Sequence, residues 1–507
     1  MNGTDIPCSS ARPQTSHQLR RSPSVAQAIL LGGAAAQLGL ALLITIYLAR
    51  ALSPAAFGFF ALIGTIFALA RKFLDLGLSN VAARDIAREP RRERPIREGM
   101  MAYRRITGVL LAIALGVFAV VQKSTPERSI LLAVALVLVF TEPAALDPVF
   151  QVRQAQAGPA LLNVFGGLLV LGGSVLFKRV GIIGAAFGWL LVLREAITLL
   201  VTKFLAQRLL GYRPIPGFRG RNLRAFVRPA LIFGLASLVY TIYFHCDVFF
   251  VYALRGRDEL GAYAAAYRPI NPLLLLPWLL MVPLIPVLSA TATHDLDRFV
   301  RQVRGACALA LGIGSCALVA GVVLAPDMVQ LLYKGNYLQG PLSCVNAFVW
   351  LAIALAEVCV TTVLTASLLA AGKEKLLLEI GTSALVVNVG MNLVLLRRFD
   401  FTAAAIATAV TESIFLIAAL IGFRMVTRCS ALRWIDVGHL APALALGGIL
   451  SVIHYAPAVR VACGLVLGAI SVAVLLSTPR ARRLRRELAE AQAHDTPLSR
   501  VAETAQA

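Results

Sequence analysis

The chain has 507 residues, of which 58% are hydrophobic and only 15% are charged. Soluble domains carry about 25% charged residues, so this composition excludes a water-soluble enzyme of several domains, and it also excludes a disordered protein. The 48 basic against 26 acidic residues would suggest nucleic acid in a soluble protein. Membrane proteins, however, collect Lys and Arg in their cytoplasmic loops, so we expect no nucleic-acid partner.

Apolar runs bounded by charges, proline or glycine predict fourteen membrane-spanning helices. Six of them lie near residues 25–49, 55–80, 104–122, 128–148, 160–177 and 182–205. Six more follow near residues 226–254, 259–290, 299–324, 341–371, 376–396 and 401–423, and the last two lie near 437–455 and 458–478. The fold class predicted from this pattern is an all-α polytopic membrane protein.

The basic residues alternate between successive connectors. If the N-terminus is cytoplasmic, the inner segments hold 33 Lys and Arg residues and the outer connectors hold 11. This bias predicts that both termini lie in the cytoplasm. The predicted organisation, in chain order, is a cytoplasmic tail (1–23), an N-lobe of helices 1–6 (24–212), a basic cytoplasmic linker (213–225), a C-lobe of helices 7–12 (226–424), helices 13 and 14 (437–478) and a basic cytoplasmic tail (479–507).

Several functional classes lack their sequence signatures. The outer connectors are too short to hold a catalytic domain, and no Walker A motif is present, which argues against an ATP-driven pump. The eight cysteines form no CxxC pair and show no zinc spacing, so we expect neither disulfides nor a metal site. We therefore do not expect an enzyme.

A faint internal repeat links the two halves. The segment "ARALSPAAFGFFA" follows the first predicted helix, and "YALRGRDELGAYAAA" follows the seventh, which aligns Gly58 with Gly261. The match is either coincidence or the trace of a duplication. A duplication would give two halves in the same orientation, an arrangement that places a transporter's substrate site between them.

Nine short stretches, in this order and spacing, carry a family resemblance. They are Arg50–Gly58 "RALSPAAFG", Leu74–Arg84 "LDLGLSNVAAR", Val149–Arg153 "VFQVR", Asp247, Gly261–Arg268 "GAYAAAYR", Leu331–Tyr337 "LLYKGNY", Ser367–Lys373 "SLLAAGK", Val387–Asn392 "VNVGMN" and Ala403–Glu412 "AAAIATAVTE". The chain resembles the multidrug/oligosaccharidyl-lipid/polysaccharide exporter superfamily, and within it the polysaccharide (O-antigen-type) flippases of bacteria.

The resemblance implies two six-helix lobes around a cavity that opens to one side of the inner membrane at a time. It implies export of a polyprenyl-diphosphate-linked glycan to the outer leaflet for O-antigen, capsule or exopolysaccharide assembly. The expected partners are that glycolipid, a polysaccharide polymerase, chain-length proteins and the anionic membrane lipids under the basic C-terminal segment. A cation-coupled drug antiporter on the same fold is the alternative.

Such a cargo sets a physical problem, because a diphosphate must cross about 30 Å of hydrocarbon and needs cationic groups in the membrane. Arg268 is the first candidate, since its guanidinium can bind a diphosphate bidentately and the prolines that follow must break the helix. Tyr267 and Asn271 fall on the same helical face. The alternative is that a buried carboxylate holds Arg268; Asp247 could form that ion pair, either as a structural bond or as a switch.

Other intramembrane charges are weaker candidates for the cavity. Arg71 and Lys72 either line it or form an interfacial cluster, in which Arg71 can pair with Asp75 at i,i+4. Arg194 is favoured over its neighbour Glu195 as a cavity residue.

Two carboxylates lie in predicted helices of the C-lobe. Glu357 and Glu412 could each carry a coupling proton or hydrogen-bond between helices. No cofactor is expected, and the choice of H⁺ or Na⁺ as a coupling ion stays open. An antiporter would place carboxylates in its cavity, whereas a flippase for an anionic lipid needs arginines.

Overall fold

The computed structural model describes residues 23–122, 124–153, 157–182, 184–210, 223–274, 277, 281, 284–334, 337–432, 440–452, 456–479, 481–484 and 486. These residues form eighteen α-helices, a few 3₁₀ turns and no strand. The predicted N-terminal tail, and most of the basic linker and the C-terminal tail, lie outside the described residues.

The N-terminal half contains eight helices. They are α1 (Pro23–Ala51), α2 (Pro54–Asp75), α3 (Leu78–Arg88), α4 (Glu93–Val121), α5 (Thr125–Val139), α6 (Asp147–Val152), α7 (Ala157–Arg179) and α8 (Gly188–Leu210). The C-terminal half also contains eight. They are α9 (Leu223–Arg255), α10 (Arg257–Tyr267), α11 (Leu284–His294), α12 (Leu296–Val323), α13 (Ala325–Tyr333), α14 (Val345–Ala370), α15 (Glu374–Leu395) and α16 (Thr402–Thr427). Helices α17 (Ala441–Val452) and α18 (Pro457–Ser477) follow.

The helices have the composition and surface of a membrane protein. Within the described residues, ten helical segments are long and apolar enough to cross a bilayer. Helix α4 exposes large aliphatic side chains at helical spacing, including Leu110, Val117 and Val121 at 62%, 65% and 74%. An exposed apolar stripe of this size is typical of a surface that contacts lipid or another protein. The all-helical membrane class is confirmed, while the count of fourteen spans and the orientation stay predictions.

Three of the predicted helices are broken. The helix expected at 128–148 ends at Val139, and a 3₁₀ turn (Glu142–Leu146) separates it from α6. The helix expected at 55–80 ends at Asp75, because Leu76 and Gly77 take left-handed backbone angles (φ 40° and 71°) and α3 starts afresh at Leu78. The helix expected at 259–290 ends at Tyr267, where the proline run predicted a break. An additional short helix, α13, lies where the sequence suggested a connector.

The largest apolar core lies on the seam between the halves, around α2 and α10. The two helices meet backbone to backbone at the glycines aligned by the repeat. A Cβ on Gly58 would lie 2.2 Å from the carbonyl oxygen of Arg257, and one on Gly261 would lie 2.1 Å from that of Pro54. Only glycine permits this approach at either position.

Polar contacts join the halves at the end where α2 begins, which the loop-charge count assigns to the outside. Arg257 forms an ion pair with Glu127, and the Tyr252 hydroxyl donates to the Gln122 side chain at 2.7 Å. The Arg50 guanidinium donates to two carbonyl oxygens near the end of α13, at 2.5 and 2.6 Å.

Helix α2 also meets the C-terminal half at its other end. A Cβ on Gly234 of α9 would lie 2.0 Å from the carbonyl oxygen of Leu76, in the bend between α2 and α3. The helix therefore contacts the C-terminal half at both of its ends, and the candidate site lies between these two contacts.

Candidate functional site

Arg268 lies where α10 ends, on the seam between the halves. Its backbone N–H donates to the Ala264 carbonyl as the last helical hydrogen bond, at 3.0 Å. Its guanidinium lies over the rings of Phe57 and Phe60 on α2, at 5.8 and 5.7 Å from the two centroids. Among the described residues no carboxylate pairs with it, so its N–H donors are held in place by the rings and stay available to an anion.

The predicted ion pair between Asp247 and Arg268 is not formed. Asp247 is buried and accepts hydrogen bonds from the Thr408 hydroxyl (2.7 Å), the Asn392 amide (2.9 Å) and the Tyr263 hydroxyl (3.0 Å). The face of α9 that carries Asp247 is turned toward α15 and α16, whereas Arg268 leaves α10 toward α2. Three neutral donors satisfy this carboxylate inside the C-terminal half.

The hydrogen bonds around Asp247 extend through neighbouring polar side chains. The Asn388 amide donates to the Thr411 hydroxyl at 3.2 Å, and the Tyr243 hydroxyl also bonds to Thr411 at 3.2 Å. The Cys246 thiol lies 3.2 Å from the Asn388 amide oxygen. The interior of the C-terminal half therefore contains a connected network of neutral donors around one carboxylate.

Arg71 pairs with Glu195 at 2.6 Å and not with Asp75, so the i,i+4 pair predicted within α2 is wrong. The reason is the end of the helix at Asp75. There the chain bends into α3, which brings the Ser79 hydroxyl onto the Asp75 carboxylate, and Arg104 of α4 approaches the same carboxylate at 3.4 Å. Arg71 instead faces α8.

Arg194 lies next to the same ion pair. Its aliphatic stem packs on α7, where a Cβ on Gly166 would lie 3.1 Å from the Arg194 Cγ. Arg194 interacts electrostatically with both Arg71 and Glu195. Two of the predicted cations are thus gathered around one carboxylate, while Lys72 lies on an exposed face of α2.

The side chains of Arg71, which belongs to α2, and of Arg268, which comes from α10, lie along the same face of α2. Phe57, Gly64 and Arg71 are seven residues apart, which returns to nearly the same direction around the helix. The Arg268 guanidinium lies at the level of Gly64, where an added Cβ would be 3.4 Å from its Nη2 atom. Arg71 lies seven residues, or about 10 Å, further along this face. Sequence reasoning selected both cations but missed the aromatic residues and the glycine that align them.

The prediction that Tyr267 and Asn271 share one helical face is wrong, because α10 ends between them. Tyr267 stacks on Tyr263 with the ring centroids 5.9 Å apart, and its hydroxyl donates to the Phe244 carbonyl at 3.2 Å. Asn271 begins a separate 3₁₀ turn and is exposed. The face argument assumed a continuous helix, which the turn at Pro269 prevents.

The other two predicted carboxylates lie in the C-terminal half. Glu412 of α16 is only 2% exposed and interacts with Tyr243. Glu357 of α14 accepts a hydrogen bond from the Ser413 hydroxyl, and its other oxygen is buried with no hydrogen-bond partner in the described part of the chain. No group of three or more metal-ligating side chains occurs among the described residues.

Comparisons with solved structures identify the fold. The lipid II flippase MurJ, in an inward closed conformation, superposes with a TM-score of 0.71 at 12% identity, over 89% of this chain and 99% of that one. An inward-facing multidrug resistance MATE family transporter of the MOP superfamily gives 0.54 at 17% identity, over 81% and 95%. A MOP superfamily transporter from Pyrococcus furiosus gives 0.54 at 18% identity, over 80% and 94%.

At these identities the structural matches show a shared fold and nothing finer. The search of curated proteins found no match. The family model described as "Polysaccharide biosynthesis protein" matches residues 27–292, which is more than half of the chain and includes α2, α10 and Arg268. The chain belongs to this polysaccharide biosynthesis protein family.

Proposed function

We propose that the protein flips a polyprenyl-diphosphate-linked oligosaccharide from the inner to the outer leaflet of the bacterial cytoplasmic membrane, for surface polysaccharide assembly. The observation that carries the proposal is Arg268, a cation at the seam with no carboxylate partner among the described residues. Family membership and the MurJ-like fold support it. Both favour a transporter over an enzyme.

The seam offers what an anionic lipid headgroup needs. The two phenylalanine rings hold the Arg268 guanidinium without using its N–H donors, so a diphosphate can accept bidentate hydrogen bonds from it. Arg71, about 10 Å away along the same face of α2, offers a second cation once its bond to Glu195 is exchanged. The lipid tail can remain in the bilayer while the headgroup follows this face.

Alternating access requires the two ends of α2 to separate from the C-terminal half in turn. Contact at the Gly58 end closes the outer side, and contact between Leu76 and Gly234 closes the inner side. The glycine contacts are backbone contacts, but opening the outer end also breaks the Arg257–Glu127 ion pair and the hydrogen bonds made by Tyr252 and Arg50. Opening the inner end separates Leu76 from α9.

Arg268→Ala tests the proposal most directly. We expect loss of surface polysaccharide and accumulation of the lipid-linked glycan in the inner leaflet, at an unchanged level of membrane protein. Arg268→Lys should restore export only in part, because it keeps the charge and loses the planar pair of donors. The readout is mass spectrometry of lipids from spheroplasts treated with an impermeant glycan-cleaving enzyme.

Arg208→Ala is the matched control, because Arg208 also lies over a ring, that of Phe204 at 5.4 Å, but on α8 and away from the seam. Normal export by Arg268→Ala would refute this site.

A cation-coupled antiporter is the second candidate, favoured by the buried carboxylates Asp247, Glu357 and Glu412 of the C-terminal half. In a flippase these groups would couple transport to H⁺ or Na⁺. If instead a deletion strain kept its surface polysaccharide and became sensitive to cationic dyes, the antiporter would replace the flippase.

A further inference from the structure

Tyr240 has an unusual environment for a residue halfway along a membrane helix. It lies at the middle of α9, and 51% of its surface is exposed. Its ring packs against Phe244, with the centroids 4.6 Å apart and the planes tilted by 50°. Its hydroxyl donates to no group among the described residues.

Tyr240 lies on the side of α9 that faces other helices of the C-terminal half. Tyr240 lies within electrostatic range of Glu412 on α16 and of Tyr267 at the end of α10. It also shares the face of α9 that carries Asp247, which is buried against α15 and α16. Half of this side chain is therefore exposed beside those helices, at the middle of α9.

The rings of Tyr240 and Phe244 are in contact, and the Tyr267 hydroxyl reaches the backbone of Phe244. We call these three side chains the aromatic platform. The bond from the Tyr267 hydroxyl to the Phe244 carbonyl joins α10 to α9, and stacking on Tyr263 fixes the Tyr267 ring. Tyr267 directly precedes Arg268. The platform thus begins one residue from the cation proposed to bind the diphosphate.

The chemistry of this surface fits a sugar. A pyranose ring presents a C–H face that packs on an aromatic ring, and hydroxyl edges that need polar partners such as the exposed Tyr240 hydroxyl. Aromatic rings beside a carboxylate also attract organic cations. Arg268, however, directly follows Tyr267 in the chain, which favours a sugar attached to an anionic diphosphate over a free organic cation.

We propose that the aromatic platform of the C-terminal half binds the first sugar of the lipid-linked glycan while Arg268 binds its diphosphate. The inference rests on the flippase function proposed above. It divides recognition between two surfaces: Arg268, with Arg71 of α2, reads the anionic linkage common to all such lipids, and the platform reads the sugar next to it.

The test measures the binding of two probes to the purified full-length protein in nanodiscs. One probe is polyprenyl diphosphate without sugar, and the other is the polyprenyl-diphosphate-linked glycan extracted from a deletion strain. We expect Tyr240→Ala to weaken binding of the glycolipid about tenfold and to leave binding of polyprenyl diphosphate unchanged. Tyr240→Phe should keep most of the affinity, since stacking needs the ring.

Tyr47→Ala is the matched control, because this tyrosine of α1 interacts with Lys178 in the N-terminal half and should leave both probes unaffected. Retained binding of polyprenyl diphosphate also shows that each variant is folded.

The outcomes separate the two proposals. If the unmodified protein binds neither probe, the flippase function fails and the platform with it. If it binds both, and Tyr240→Ala weakens both equally or neither, the platform is refuted and the function stands. Equal loss of glycolipid binding in Tyr240→Phe and Tyr240→Ala would refute stacking.

Discussion

The two halves of the molecule meet through equivalent glycines but hold opposite charges inside. In the N-terminal half, the arginines Arg71 and Arg104 are bonded to the carboxylates Glu195 and Asp75. In the C-terminal half, a buried carboxylate, Asp247, is bonded only to neutral donors. The close backbone approach is the same at both glycines, whereas the polar chemistry of the two halves differs.

The interiors of the two halves are stabilised by different kinds of polar contact. Ion pairs can exchange partners, so the N-terminal half can offer a cation to a passing anion at the cost of one bond. Neutral hydrogen bonds around a buried carboxylate hold it in place, because moving it would leave several donors unsatisfied. The exchangeable ion pair of the N-terminal half can therefore offer Arg71 to the cargo, whereas the network around Asp247 holds the helices of the C-terminal half together.

Substitutions at the two glycines of the seam test whether the halves are equivalent. We expect these substitutions to have the largest effects on export and stability. Gly58→Ala and Gly261→Ala would each place a Cβ within about 2 Å of a backbone carbonyl oxygen, so α2 and α10 must separate. We expect both variants to lose most export and to lower the melting temperature of the purified protein by similar amounts.

Gly116→Ala and Gly390→Ala are the controls, one in each half, because a Cβ at either position meets nothing within 4 Å. These should gain slightly in stability, as alanine favours helix. A large effect at Gly58 with none at Gly261 would show that the two glycines are not equivalent.

The sequence predicts features that depend on neighbouring residues better than features that depend on contacts between distant parts of the chain. Apolar runs predicted the helices because each is a local property, and the proline run predicted the end of α10 correctly. The bend at Leu76 was missed, since a leucine in the left-handed region has no sequence signal and is held by its contact with α9.

The sequence predicted which residues belong to the site better than it predicted which residues they bond to. The sequence selected Arg268, Arg71 and Arg194 because charges in apolar helices are expensive. It predicted wrong partners for Asp247 and Arg71, because i,i+4 spacing and similar depth are local rules. The true partners of Asp247 lie on α15 and α16, more than 140 residues along the chain.

Asp247 should give the next largest effect, on stability. Asp247→Ala leaves the buried Tyr263 hydroxyl without its acceptor and removes one acceptor each from Asn392 and Thr408. We expect a loss of about 3 kcal/mol in the free energy of unfolding. Asp247→Asn keeps an acceptor oxygen in place and should lose less than half of that. Thermal unfolding in detergent measures both, and equal losses would show that the charge itself, and not the hydrogen bonding, holds the network.

We expect the smallest effect on stability at the ion pair of the N-terminal half. This substitution distinguishes the exchangeable ion pair from the fixed network around Asp247 most clearly. Glu195→Gln removes the partner of Arg71, whose side chain is 52% exposed, so the stability should change by less than about 1 kcal/mol. The freed Arg71 should then bind polyprenyl diphosphate several-fold more tightly, with a steeper dependence on salt. Export should fall even so, because a cargo held more tightly is released more slowly. Unchanged affinity in Glu195→Gln would mean that Arg71 never exchanges its carboxylate for the cargo, which would leave Arg268 to bind the diphosphate without it.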